Sequence, residues 1–322
     1  GGGGGSTGNW LYDPTVVADV PNVAFGSMAY GTFYDNRDQL PESMQGDFST
    51  DEDSPIQPED IESIAGVAGG DMSQNMASAS AFGSVVMTGS IPTDEMQSQV
   101  ESEGAQSAGT YEGYSLYDVE EVGNTVGGVP GSEQFQGSGS VAISDRAMVA
   151  GFSFAQGMES SATGEGAVKT MIDASAGNAR RLSATSGPAK DVQDRVGDSM
   201  IALGVEVDPD LVTLAERMSG GGDMMSQILG GMRGGGVGAD INGETTTMDA
   251  VLVYESEQRA TESGVADLIS GMSARLEDEE GINSVDTSQE GAVVVITIEG
   301  DTETLAEQGT GTGSTFSVAP RA

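Results

Sequence analysis

The chain has neither cysteine nor histidine anywhere in its 322 residues. Without cysteine there is no disulfide, no thiolate metal site and no cysteine nucleophile. Without histidine as well, the Ser-His-Asp and Cys-His arrangements of nucleophilic catalysis are excluded, and zinc loses its nitrogen and sulfur ligands. Lysine occurs only as Lys169 and Lys190, so a Ser-Lys pair has few places to form. Lys169 ends the stretch Gly164-Glu165-Gly166-Ala167-Val168-Lys169, but Val168 stands where a phosphate-binding loop needs glycine, and the stretch is expected to be a glycine turn entering a helix. No run approaches the roughly 18 apolar residues of a membrane-spanning helix. Asparagine-linked sugar is not expected, because Asn124-Thr125-Val126 and Asn283-Ser284-Val285 each miss the acceptor pattern by one position. Aromatic residues are scarce at 5%, with Trp10 the single tryptophan.

What is abundant is acid. There are 51 Asp and Glu against 12 Lys and Arg, a formal charge of −39, which makes nucleic acid and anionic membranes poor partners. In dilute buffer such a charge strains the compact state by self-repulsion, whereas near 1 M salt the Debye length falls to about 3 Å. Folding is therefore expected to require high salt, with the carboxylates serving solubility in brine. Leu, Ile, Val and Phe together form only about a fifth of the chain, close to the composition of disordered proteins. Against that, apolar residues reach 37% once alanine and 16 methionines are counted, and they recur at helix and strand periods.

Acid excess with suppressed lysine resembles the proteins of halophilic archaea. The opening Gly1-Gly2-Gly3-Gly4-Gly5-Ser6-Thr7-Gly8 is similar to the spacer that follows the lipidated cysteine of haloarchaeal secreted lipoproteins. That resemblance implies an extracellular, cell-surface protein, processed at its N terminus, with a lipid anchor before Gly1 as its only membrane contact. The same run also reads as an expression linker.

The expected fold class is α+β, with sheet and helix in layers, βαβ-like units and a helical middle. Four segments are expected: a spacer over 1–21, α+β domains over 22–180 and 181–305, and a Gly/Thr-rich tail over 306–322. Alternation predicts strands over 23–34, 79–91, 109–119, 138–143, 148–154, 248–254 and 291–299. Ser144-Asp145-Arg146 is expected to close a hairpin. Ile61, Ile64, Ala65 and Ala68 suggest a helix entered at Pro58. Further helices are expected at 93–104, from 164 to Gly177, from Pro188 with Val192, Val196, Met200 and Leu203 on its stripe, from Pro209 and around 265–276. The run 292–298 is apolar on both faces, which suits the middle of a sheet. Ala81-Phe82-Gly83-Ser84 echoes Ala24-Phe25-Gly26-Ser27, a hint of internal duplication.

No constellation of catalytic residues emerges, so the protein is not expected to be an enzyme. No cofactor is expected either. The clusters Asp51-Glu52-Asp53 and Glu277-Asp278-Glu279-Glu280 offer oxygen ligands to Na, K, Mg or Ca, but lack the loop spacing of a calcium cage, so a solvated acidic face is the simpler reading. Met224, Met225, Ile228, Leu229 and Met232 line a short glycine-bounded helix that docks either on a neighbouring subunit or on its own domain. Trp10 and its neighbours are expected to anchor the leading segment on an apolar surface, and Phe316 with Val318 forms an alternating piece suited to adding onto a sheet edge. Tyr111, Tyr114 and Tyr117 are expected to share one amphipathic strand, or else to supply contacts. The functional expectation is an extracellular structural subunit of a filament, tube or layer, forming a homo-oligomer or polymer. The alternative is a membrane-anchored surface lipoprotein that binds a solute or protein partner.

Overall fold

The computed structural model describes residues 7–39, 55–72, 78–119, 136–156, 161–218, 227–277 and 281–305. The strands are β1 (Asn22–Met28), β2 (Ile61–Met72), β3 (Ala79–Gly89), β4 (Gln106–Tyr111), β5 (Tyr114–Val119), β6 (Gln136–Ile143), β7 (Ala147–Gln156), β8 (Ile201–Glu206), β9 (Met232–Asn242), β10 (Thr245–Tyr254), β11 (Ile282–Glu290) and β12 (Val293–Asp301). They form one twelve-stranded sheet in the order β11-β12-β10-β9-β8-β1-β2-β3-β7-β6-β5-β4. Each neighbouring pair is antiparallel. The helices are α1 (Tyr30–Asp35), α2 (Thr93–Ser102), α3 (Gly164–Ala176), α4 (Pro188–Val196), α5 (Pro209–Met218), α6 (Glu257–Ser263) and α7 (Val265–Glu277). Helices and a large antiparallel sheet together make the chain α+β. β1 pairs with β8, so residues 22–180 and 181–305 share this sheet.

Helices α3 and α4 cover one face of the sheet. α3 buries Val168, Met171 and Ile172 against Phe82, Val86 and Val149, and α4 buries Val192 and Val196 over β8 to β10. The helix and sheet backbones approach closely because the sheet offers glycine beneath α4. A Cβ on Gly236 would lie 2.3 Å from Val192 Cγ1, and one on Gly204 would lie 2.8 Å from the same atom. The segment before β1 lies as a strap over this layer. Leu11 and Tyr12 are fully buried, Trp10 packs partly buried on the same core, and Tyr12 bridges to Arg181. Arg181 fixes the strap by donating to Asn9 Oδ1 at 2.7 Å, Ala174 O at 2.8 Å and Ser175 O at 3.2 Å. Asp13 is ion-paired with Arg180. The leading aromatic segment thus anchors on its own chain.

The opposite face is covered only in places. α6 and α7 pack over β10, β12 and β11 around Tyr254, Val265, Val294 and Ile296. α2 contributes Met96 and Val100 against Tyr117, Ile143 and Met148, and Phe33 of α1 closes on Met200 and Ile241 beside Met28 and Ile201.

Several elements differ from the sequence expectation. Residues 61–72 form strand β2 and not a helix, because Ser63, Ala65, Val67 and Gly69 alternate into the core, a period-two pattern that the i, i+3, i+4 spacing of Ile61, Ile64, Ala65 and Ala68 hid. The strand expected over 23–34 ends at Met28. The Ala29 N–H donates to Met200 O, and the chain turns into α1 to bury Phe33. Residues 109–119 are two strands joined by Glu112 (φ 47°) and Gly113 (φ 87°), the two positive φ values of a type I′ turn. The three tyrosines therefore lie on two strands. β11 was not expected at all, and β12 is second from the sheet edge rather than central.

Other readings hold. Ser144 closes the β6–β7 hairpin through Ala147 N–H at 3.1 Å. Gly177 ends α3 at φ 81°, and Asp208 Oδ1 accepts from Asp210 N–H at the start of α5. β1-α1-β2-β3 and β8-α5-β9-β10 repeat one order, strand, helix, strand, strand, on either side of the β1–β8 seam. The sequence echo lies on β1 and β3, within one half, and does not mark that repeat.

Candidate functional site: an open apolar sheet face

The pleat sends alternate residues of each strand to opposite faces. In β1, Val23, Phe25 and Ser27 point into the layer under α3 and α4, leaving Ala24, Gly26 and Met28 on the other side. Register carries that second face across the sheet. One cross-strand row reads Val237, Leu203, Gly26, Gly66, Val85, Ala150 over β9, β8, β1, β2, β3 and β7. The adjacent row reads Gly235, Val205, Ala24, Ala68, Gly83, Phe152. A third row, Ala239, Ile201, Met28, Ile64, Met87, Met148, lies toward α1 and α2. None of these positions is charged, in a chain of net charge −39.

Solvent reaches this face. Leu203 is 53% exposed, Val85 46%, Val205 41% and Val237 40%. Among the described residues these are four of the five exposed large hydrophobic side chains, the fifth being Val16 on the strap, so the exposure is concentrated and not scattered. The surface has relief. β1 and β2 offer only glycine and alanine in the first two rows, forming a shallow groove about two strand spacings, roughly 10 Å, wide. Leu203 and Val205 rise on one side of it and Val85 on the other. In the first row both walls lean in over the glycines and narrow it, since a Cβ on Gly26 would lie 2.8 Å from Leu203 Cδ2 and one on Gly66 3.0 Å from Val85 Cγ2.

The residues singled out in the sequence fall elsewhere. Ile228 and Met232 pack with the Tyr254 cluster, where Tyr254 Oη donates to Ile228 O at 3.0 Å, and Leu229 is half-buried beside them. That part of the methionine-rich element packs on its own chain. Met224 and Met225 lie outside the described residues, as do Phe316 and Val318 of the tail. So do Asp51, Glu52, Asp53, Asp278, Glu279 and Glu280. Glu277 is exposed and accepts from Val285 N–H at 3.2 Å. Among the described residues no group of three acidic side chains is placed to hold a metal ion, and no helix is long and apolar enough to cross a membrane. Tyr111 Oη sits 2.9 Å from both carboxylate oxygens of Asp173 and ties the β4–β5 hairpin to α3, while Tyr117 is buried in the α2 cluster. Burial, with the Asp173 carboxylate second, raises the Tyr111 pKa.

A second concavity, of about 150 Å³, lies between α5 and β9 and is lined by Val212, Met232, Arg233, Glu255 and Arg259. Arg259 is engaged there by Glu255 and Glu262, each at 3.3 Å. The open face is hidden in the sequence because its residues come from six strands: Ile61, Ile64, Ala65 and Ala68 of β2 satisfy helical spacing, and Leu203 of β8 continues the stripe of Val192, Val196 and Met200, although the helix from Pro188 ends at Val196.

No family model and no curated protein matches the chain. Among solved structures it is similar to TP0453 in crystal form III (12% identity, TM-score 0.41, covering 95% of this chain and 98% of that one), form IV (14%, 0.42, 94% and 99%) and form I (12%, 0.41, 95% and 97%).

Proposed function

We propose that this protein is a structural, self-assembling subunit of a halophile's cell surface, and that its assembly contact is the open face of the central sheet. The observation carrying the reading is the concentration of exposed Leu203, Val85, Val205 and Val237 on one uncharged face. Solubility in brine calls for carboxylate on every free surface, and at these positions the chain places none. Six strands at about 4.8 Å and the two rows free of helix, about four residues at about 3.3 Å, give a footprint of roughly 400 Å² per copy. Two copies then bury roughly 800 Å², the size of a weak or transient contact. The occupant is a second copy, because on a chain of net charge −39 an uncharged face meets its own kind without opposing like charges across the contact. This reading assigns the chain no catalytic step and no cofactor, places it outside the cell, and leaves membrane contact to an N-terminal lipid anchor.

The experiment is sedimentation velocity and electron microscopy of the native protein in molar KCl across a concentration series. Concentration-dependent oligomers or regular polymers are expected. A monodisperse monomer at every concentration would overturn the reading and favour a surface binding protein.

A further inference from the structure

We infer that the concavity between α5 and β9 binds a short-chain monocarboxylate, with Arg233 receiving the carboxylate and Val212 and Met232 lining the tail. With 51 acids against 12 bases the chain has acid enough to pair every cation, and most are engaged. Lys169, Arg180, Lys190, Arg195 and Arg259 form ion pairs, and Arg37 and Arg181 donate to backbone carbonyls. Among the described residues Arg146, Arg233 and Arg275 have neither an ion pair nor a side-chain hydrogen bond. Arg146 and Arg275 are exposed to water, whereas Arg233 is half-buried, where a guanidinium without an acceptor is costly. Local structure aims it. Val253 pairs with Gly234 and Tyr254 with Met232, so Arg233 is the extra residue of a bulge, a device that redirects the side chain it carries. Gly231, at φ 78°, lets the stem of Arg259 lie across the rim, since a Cβ there would lie 3.2 Å from Arg259 Cγ. The nearby acids are committed. Glu255 and Glu262 both hold Arg259. Glu206 accepts from Ala189 N–H at 3.0 Å beneath α4; burial raises its pKa, and Arg233 offsets part of that rise without forming an ion pair. One positive charge is left over, which matches a monoanion. The planar guanidinium takes a carboxylate through two parallel N–H donors, a geometry that the chloride of brine cannot use. The buried Val212 and Met232 on the wall call for an apolar tail. A volume of about 150 Å³ holds about a benzene-sized molecule, which is the size of butyrate.

Isothermal titration calorimetry of the full chain with butyrate in molar KCl tests this, with butanol and inorganic phosphate as comparison probes. Butyrate is expected to bind saturably and one to one, and butanol and phosphate about tenfold more weakly or not at all. Arg233→Gln is expected to weaken butyrate by about tenfold or more, since it removes the charged fork. Arg233→Lys keeps the charge without the fork and is expected to recover only part of that loss. Arg275→Gln, at an exposed site, leaves the affinity unchanged. Far-UV circular dichroism in the same buffer checks that each variant is folded, and if Arg233→Gln is not, the comparison of butyrate with butanol on the parent decides. Parent protein that gives no saturable heat with butyrate overturns the site. Butanol or phosphate binding as tightly as butyrate, or folded Arg233→Gln binding butyrate as the parent does, overturns the carboxylate assignment. None of these outcomes bears on self-assembly through the open sheet face.

Discussion

Helix α4 lies on a floor of glycine, and the cost of filling that floor is open to measurement. A Cβ added to Gly236 would lie 2.3 Å from Val192 Cγ1, 2.5 Å from Leu203 O and 3.2 Å from Gly204 Cα. Two of those three atoms belong to the β8 backbone, which is held by pairing to β1 and β9 and does not swing aside as a side chain does. Relief to an ordinary contact near 3.4 Å needs α4 to rise by about 1 Å, which unpacks the fully buried Val192 and Val196. Gly236→Ala is therefore expected to destabilise by about 2–3 kcal/mol, the upper part of the range for overpacked cores. Gly271 provides the control. It lies within α7, and a Cβ there meets nothing within 4 Å, so Gly271→Ala is expected to stabilise by about 0.8–1 kcal/mol through helix propensity alone. Urea unfolding in molar KCl, followed by circular dichroism and by Trp10 fluorescence, measures both variants on one scale. Gly236→Ala as stable as the parent would refute the close approach of α4 to the sheet.

Two further outcomes follow from the strap. Burial pushes the Tyr12 pKa up to about 12 from an ordinary value of 10.0, so between those pH values the unfolded chain ionises and the folded chain does not. Stability is intact below pH 10 and falls as pH rises toward 12, by roughly 2–3 kcal/mol from this group. Tyr12→Phe should shrink that fall, and an unchanged pH dependence of the urea midpoint would contradict the assignment. Arg181→Ala removes the donors to Asn9, Ala174 and Ser175, with an expected loss of about 1.5–3 kcal/mol for hydrogen bonds from a charged group. Trp10 emission should shift red before global unfolding begins, and an unshifted spectrum would show that the strap is held by packing alone.

The sequence was most informative where local chemistry decides the outcome. Gly177 at a helix end, Pro188 and Pro209 at helix starts, and Ser144 in a tight turn each act within a few residues, and all were legible. β2 was not, because Ile61, Ile64, Ala65 and Ala68 satisfy helical spacing while Gly66, Gly69 and Gly70 disfavour a helix, and only pairing with β1 and β3 decides between the two. β9 failed for a related reason. Gly234, Gly235 and Gly236 look in the sequence like the glycine that bounds the short methionine-rich helix, yet Gly234 and Gly236 sit under α4 and Gly235 faces the open side. β8 is hidden in the same way, because Leu203 continues the helical spacing of Val192, Val196 and Met200, and β2, β8 and β9 all supply the open face. Its rows join residues as far apart in the chain as Gly26 and Leu203, and no single window of sequence contains them.

Salt separates the proposed contact from an ordinary electrostatic one. Two copies that each carry −39 repel at low ionic strength, and that repulsion is long-ranged until the Debye length falls below the spacing of the charges. An interface held by ion pairs weakens as salt is added. A contact made of Leu203, Val205, Val85, alanine and glycine has no ion pair to lose, while the repulsion that opposes it is screened away. Salts excluded from protein surfaces strengthen apolar burial further. On the proposed reading, salt is expected to push folding and association in the same direction, by screening the self-repulsion of the chain and the repulsion between copies alike.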